Sequence, residues 1–543
     1  MPTEKEIVKV PEQMDTKVTE LITASLNYAM SNEGKIDDSI SLYNDSLSSI
    51  LYKQKSYVPL WSSTEKWLPQ GDSLLHFIEH SSLYGLYPGD YHFDRLKKVR
   101  NIFLADSLMK SERKDAALWA RADLMLSDAL ISIFHDINLG RLPKDSITMR
   151  KDSVLDGLLI AEKFNAIVSG LSLDSVIATL EPKHKGYKDI KTSVKNFLDS
   201  ANFNPISAII YPNKNSNELR AGVIKRLFES GYIDSSFMPA DSLQLAAILK
   251  KYQKDKKLTE DGKIGGQTIR MLNLSDAEKF NRIAITLDRY KMLPEEMPGT
   301  YIWINIPSYT LKLFSNGTII VSSRVVVGKQ KTRTPVLTSA ISDMITYPQW
   351  NIPQSIIVKE ILPALKKNPD YLTRKGYGLF DSKGEEVDPY SVNWSKFSKG
   401  IPYRVIQGSG DDNALGILKF NFYNKYAVYI HDTNQRYYFG LDSRALSHGC
   451  IRVQEWEKIA FFILNLENEF AKARNRNSVS SEELRHWLAN KEKHIIPVSV
   501  KIPIFVRYFT CESTGGKIIF FEDIYDEDKE LATRLFAGKK PIL

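Results

Sequence analysis

Ser447-His448-Gly449-Cys450 sets a hydroxyl, an imidazole, a flexible residue and a thiol in consecutive positions, and Cys450 is one of only two cysteines in 543 residues. A cysteine attacks a carbonyl carbon as its thiolate. It therefore needs a base or positive field, donors for the oxyanion, and a backbone bend that exposes it. Gly449 permits such a bend, and the amides of Gly449 and Cys450 are expected to face a developing oxyanion. His431 lies nineteen residues upstream, near the end of the strand-like run YAVYIHD. Strand alternation puts Ala427, Tyr429 and His431 on one face, so Tyr429 should line the same surface as the histidine. Two other readings of this cluster exist. His431, His448 and Cys450 could be metal ligands, but a fourth ligand has no clear candidate. Cys450 could also be a buried inert thiol, which would need no preceding Ser-His-Gly. Cys511, in VRYFTCES, has no histidine nearby in sequence and is read as structural.

The elements that must position these groups can be read along the chain. Residues 17–216 show helical periodicity, as in ALWARADLMLSDALISIFHDI, where Leu118, Ala122, Met125 and Ala129 share a stripe. Residues 1–16 are expected to be a flexible tail. The histidines of the helical region, His76, His80, His92 and His135, show no convincing ligand spacing. In residues 217–275, Leu245, Ile248, Leu249 and Tyr252 form one helix face. An Asp261-Gly262 turn, Gly265-Gly266 and a short helix follow. A connecting helix is expected over 276–298. The period then changes to two: YIWINIPSYTLKLF alternates, turns at Asn316-Gly317 and resumes in β-branched runs, the signature of a hairpin and a sheet. KFNFYN and YAVYIHD read as further strands, and QEWEKIAFFILNL as an amphipathic helix. Residues 352–403 interrupt the strands with a helix and an aromatic, glycine-bearing loop. An insertion of that length within one sheet is expected to be a lid.

Composition narrows the function classes. The net charge of +8 is scattered, which argues against a nucleic-acid module. Two cysteines exclude a disulfide scaffold. No apolar run is long enough for a membrane span, and the charged start MPTEKEIVKV lacks the apolar core of a secretory signal. A cytosolic protein and a trimmed exported one both fit.

His431 followed by Ser447, His448, Gly449, Cys450 and Arg452 resembles the L,D-transpeptidases with a YkuD-type catalytic domain. VVVGKQKTRTP, NALGILKF and FEDIYDED add to the likeness. Tyr252-Gln253, Asp261-Gly262, Gly265 and Thr268 resemble the small three-helix peptidoglycan-binding domain. With YVPLW and GLYPGDYH near the front, the order is similar to the large YcbB-type branch. The resemblance implies a multidomain α+β protein: a helical N-terminal scaffold, a peptidoglycan-binding domain, and a mostly-β catalytic domain over 299–543 carrying the inserted cap.

It further implies acyl transfer on peptidoglycan. Cys450 would attack the carbonyl preceding the terminal D-Ala of a tetrapeptide stem, and an amine of a second stem would resolve the thioester as a 3-3 crosslink. His431 would hold or take the thiol proton as partner of a stabilised thiolate, its ring oriented by the Asp432 carbonyl. Gly449, Cys450 and Tyr429 would serve the oxyanion, Ser447 and His448 would shape the site, and Arg452, where relatives often carry Asn, would meet a substrate carboxylate. No metal or cofactor is required. Stem peptides and glycan are the implied partners, carbapenem-type β-lactams the implied inhibitors, and the periplasm or cell envelope the implied location, with the export signal trimmed. An L,D-carboxypeptidase using water, and a non-catalytic wall-binding scaffold, are the alternatives.

Overall fold

The computed structural model describes residues 5–64, 66–108, 114–145, 147–149, 155–234, 239 and 241–541. The chain forms two compact units, one of residues 1–296 and 510–543, the other of residues 297–509.

The first unit is helical around Ala116–Asn138, a helix buried on nearly every side rather than along one stripe. Its polar residues are therefore paired. The Asp123 carboxylate accepts the Leu60 and Trp61 amides at 2.9 Å and the Tyr52 hydroxyl at 2.5 Å, which pins the YVPLW segment. Burial raises its pKa to about 6 against those bonds. Residues expected to be a flexible tail are ordered from residue 5 onward: Ile7–Val8 pairs with Lys114–Asp115, and a helix begins at Met14. Residues 1–4 of that tail lie outside the described residues.

Three helices, Ser216–Glu229, Ser242–Asp255 and Gly266–Leu272, enclose Val223, Leu227, Leu249, Tyr252 and Ile269. Gln253 explains the motif read there. Its amide nitrogen donates to Asp261, to the Lys263 carbonyl and to Thr268, while its oxygen accepts the Gly262 amide, tying turn and helices together. The helix expected to connect domains, Asp276–Lys291, is instead a core element with Phe280, Ile283, Ala284 and Leu287 fully buried. It holds the buried Asp288 between Arg141 and Lys291.

A second correction concerns the C-terminus. Residues 510–543 fold with the helical unit and not with the sheet of residues 297–509, because Cys511, Ile518, Phe520 and Phe536 pack with Tyr187 and Phe280. FEDIYDED lies in that tail.

In the second unit, eight strands close on themselves. Leu418–Phe422, Ile430–His431, Ile451–Val453, Thr318–Gly328, Thr310–Ser315, Thr300–Asn305, Pro503–Arg507 and Leu337–Thr346 follow in order, and the last pairs again with the first. Closure removes the sheet edges. Asn316 and Gly317 take positive φ values of 46° and 78°, the expected hairpin turn. Helix Trp456–Lys472 buries Trp456, Ile459, Ile463 and Leu464.

The inserted segment is wider than its expected limits. Trp350–Asn351 and Arg404–Gln407 join Tyr377–Phe380 in a separate three-stranded sheet over a core that includes Ile357, Leu372, Trp394 and Val405. Its helix widens over Ile357–Ile361, just before Pro363, whose ring cannot sit against the carbonyl four residues earlier in a regular turn.

Candidate active site

Strand register assembles the site. Lys419 pairs with His431 across one antiparallel ladder, and His431 pairs with Arg452 across the parallel one. Leu418, Phe420, Ile430, Ile451 and Val453 alternate with them and are buried in the core. The opposite face therefore carries Lys419, His431 and Arg452 as one row. Ile430 pairs with Ile451, and the Ile451 amide donates to the Tyr429 carbonyl at 3.0 Å, so Tyr429 and Cys450 form the neighbouring row. Ala427 does not belong to this face as a strand residue. Its φ of 53° places it in a turn, and the strand is only Ile430–His431.

The bend before Cys450 is fixed from two sides. Ser447 Oγ donates to the Cys450 carbonyl at 2.6 Å and accepts the Gly449 amide at 3.1 Å. Gly449 has φ 121°, which disfavours any side chain. From the outside, the loop of VVVGKQKTRTP clamps the turn. Lys329 N–H and Thr332 Oγ1 both donate to the Ser447 carbonyl at 3.0 Å, and Thr334 Oγ1 donates to the Gly449 carbonyl at 2.8 Å while accepting the Gly328 amide at 2.8 Å. Gly328 is needed because an added Cβ would meet the Thr332 carbonyl at 2.1 Å. One expectation fails here: the Gly449 amide is bonded to Ser447 and does not face an oxyanion.

His431 is buried, and its Nδ1 bonds the Asp432 carbonyl at 2.5 Å. A carbonyl only accepts, so Nδ1 carries the proton and Nε2 is the basic nitrogen. The Asp432 carboxylate points away from the ring, to Arg436 at 2.7 Å and the Ile417 amide at 3.2 Å. Burial first, then Arg452 and Lys419, lower the His431 pKa to about 3, against the opposing pull of the Asp432 and Leu415 carbonyls. Cys450 is half-buried, and desolvation raises its thiol above the usual value despite the Tyr429 hydroxyl, Lys419 and Arg452. Burial thus disfavours the charged form of each group, and works against the ion pair expected between them.

Tyr429 faces both the Cys450 sulfur and the Trp350 indole, and Lys419 Nζ lies 3.9 Å from its ring centroid. Arg452 reaches Gln435 at 2.8 Å and stacks over Tyr438. His448 turns away from this face and meets Glu360 of the inserted segment at 2.5 Å. Cys511 is fully buried with its thiol pushed up to about 12, as suits a structural residue.

Lys419, Trp350, Thr334 and Glu360 escaped the sequence reading. Alternation through KFNFYN would have put Lys419 on the exposed face, whereas the other three depend on tertiary contacts. Ligand-type atoms of His76, Glu79 and His80 lie within 4.8 Å of one another at the end of the helix Pro69–Glu79, a surface grouping that is common without a bound ion. Among the described residues no helix is long and apolar enough to cross a membrane.

Comparison with known proteins agrees with this architecture. Residues 299–468 match the L,D-transpeptidase catalytic domain (YkuD), and residues 48–193 match a scaffold domain. A Haemophilus influenzae protein provisionally named an L,D-transpeptidase is 36% identical over 250 residues, 46% of this chain and 48% of its own length. The matched region thus spans about half of that relative. The solved Ldtfm–avibactam carbamoyl enzyme aligns over 51% of this chain and 84% of its own at 10% identity, with a TM-score of 0.16, a likeness too weak to inform the fold or the site. Residues 299–468 are thus similar to the YkuD-type L,D-transpeptidase catalytic domain.

Proposed function

We propose that the protein is a peptidoglycan L,D-transpeptidase that forms 3-3 crosslinks through a thioester on Cys450. The observation that carries this reading is the sharing of one sheet face by Cys450 and a buried His431 whose tautomer leaves Nε2 basic. His431 takes the thiol proton as sulfur adds to the stem carbonyl, since a standing thiolate is disfavoured. The Cys450 amide and the Tyr429 hydroxyl serve the oxyanion. As the tetrahedral adduct collapses, the C–N bond breaks, His431 gives its proton to the departing nitrogen, and D-Ala leaves. An amine from a second stem then attacks the thioester and loses a proton to His431, the C–S bond breaks, and His431 returns that proton to the sulfur, restoring the thiol.

Ser447 holds the turn, and His448 links it to the inserted segment, which we assign as a cap over the cleft. The three-helix module of residues 217–275 is assigned to peptidoglycan binding. The substrate places the enzyme in the periplasm or cell envelope. Carbapenems, whose ring opening releases no amine, are expected to stay on the thiol.

Mass spectrometry of products from a purified disaccharide tetrapeptide tests the reading. A crosslinked dimer lacking one D-Ala is expected. Tripeptide monomer alone would mean an L,D-carboxypeptidase, and unchanged substrate a wall-binding scaffold.

A further inference from the structure

The hairpin of residues 511–520 ends in an open strand edge. Cys511–Thr514 and Lys517–Phe520 pair with Thr514 opposite Lys517 and Cys511 opposite Phe520, joined by Gly515 and Gly516 at φ 58° and 75°. Antiparallel strands exchange hydrogen bonds at every second pair, and the Phe521 amide donates to the Thr510 carbonyl at 2.8 Å. That fixes the phase: Lys517, Ile519 and Phe521 turn their backbone groups inward. The N–H and C=O of Ile518 and Phe520 therefore face away from the hairpin, and among the described residues they take no hydrogen bond.

This edge borders a cleft of about 890 Å³ whose other walls are the helix Lys185–Leu198 with the loop after it and the three-helix module. Lys517 and its neighbours Ile518 and Phe520 point to opposite faces of the strand, yet all three line the cleft, so it is the edge that the cleft exposes. Phe197, Tyr232 and Tyr252 add aromatic surface. The cleft is also cationic. Its acids are taken, Glu229 by Arg226 and Asp276 by Lys279. Lys256 Nζ lies 5.6 Å and 5.9 Å from the ring centroids of Tyr252 and Tyr232, and among the described residues neither it nor Lys517 Nζ has a hydrogen bond or an ion pair. Burial first, then Lys279, pulls the Lys256 ammonium below its ordinary pKa, against Asp255 and Asp276. Such cations call for an anion from outside.

We propose that this cleft binds an extended acidic peptide of a partner protein, which adds to the Lys517–Phe520 edge as a third strand and sets its carboxylates against Lys256 and Lys517. The cleft lies wholly within the helical unit, and the inference goes beyond the transpeptidase reading. Main-chain bonds to Ile518 and Phe520 supply affinity with little regard to sequence, and the two lysines supply the choice. A basic or purely apolar strand leaves both ammonium groups without a counter-ion as it buries them further, whereas an acidic strand relieves both. A glycan chain carries no regular row of N–H and C=O groups to match the edge, which favours a peptide as the occupant.

The test titrates the full-length protein with a fluorescein-labelled hexapeptide of alternating Glu and Val, following anisotropy, and then measures backbone hydrogen exchange in the complex. Saturable binding is expected, with exchange slowed in residues 517–520. The same peptide with Lys in place of Glu should not bind. Because alternate amides of a strand face opposite edges, N-methylation of one alternate set should abolish binding and methylation of the other set should spare it. Lys256→Gln and Lys517→Gln should each weaken binding by about tenfold, the worth of one hydrogen bond to a charged group, with the melting temperature unchanged. Binding that ignores both substitutions, or that tolerates methylation of either set, would overturn the proposal. So would a peptide that fails to bind at millimolar concentration. Protection of residues 517–520 by a disaccharide tetrapeptide but not by the peptide would also overturn it, and would make the cleft a site for wall fragments.

Discussion

His431 donates its Nδ1 proton to the carbonyl of its own chain neighbour, Asp432, at 2.5 Å. This local bond fixes the tautomer without a carboxylate partner, and so the ring gains orientation but no stabilising negative charge. Burial lowers the imidazole to about 3 and raises the thiol, so it disfavours charge on both groups.

Alkylation of Cys450 by iodoacetamide should therefore climb with pH and reach its midpoint above the usual thiol range, because the thiolate forms only by direct ionisation. The sign follows from both shifts. A raised thiol pKa delays thiolate formation to higher pH, and a lowered imidazole pKa removes the cation that would have advanced it. His431→Asn should leave this profile almost in place while slowing acylation by substrate, where a proton must move. A rate already flat through neutral pH would indicate a preformed thiolate and imidazolium.

The clamp on the nucleophile turn predicts a cost in stability. Thr334→Val removes the side-chain bonds to the Gly328 amide and the Gly449 carbonyl, and should destabilise the protein by about 1–3 kcal/mol in urea melts. Thr334→Ser keeps both bonds and should recover most of that loss. Equal stability of all three proteins would remove the clamp from the account.

Gly449→Ala places a side chain at φ 121° and within 3.4 Å of the Arg333 carbonyl. Strain of about 1–3 kcal/mol is expected, and because the residue adjoins Cys450, carbapenem acylation should slow by at least about tenfold. Unchanged acylation would show that the turn tolerates a second conformation.

The His448 and Glu360 pair joins the nucleophile turn to the inserted segment, and both partners are solvent-exposed. Its loss should barely alter the melting temperature, since such pairs contribute at most about 1 kcal/mol. Glu360→Gln should instead speed hydrogen exchange in residues 354–367, with the core strands unaffected. Exchange that stays the same would leave the pair without a role in holding the cap.

Much of this site was readable from sequence because its register is local. The two-residue period of YAVYIHD placed Tyr429 and His431 on one face, and Ser447 to Cys450 announced a turn. Gln253 and Asp261-Gly262 likewise foretold a three-helix unit. What stayed hidden depends on long-range pairing. The Gly449 amide could be assigned only once Ser447 Oγ was seen beneath it, and the charge state of His431 only once its burial between Lys419 and Arg452 was known. The return of residues 510–543 to the helical unit was equally illegible, since Cys511 and Phe536 pack against Tyr187 and Phe280, more than 200 positions away.

The central claim is that Cys450 forms the acyl-enzyme, and intact-protein mass spectrometry after incubation with a carbapenem tests it most directly. The protein should gain the mass of one drug molecule, mapped to the peptide bearing Cys450. Cys511→Ala should label like the wild type, and Cys450→Ala should not label at all. Labelling that persists in Cys450→Ala, or that maps to a serine, would contradict the account.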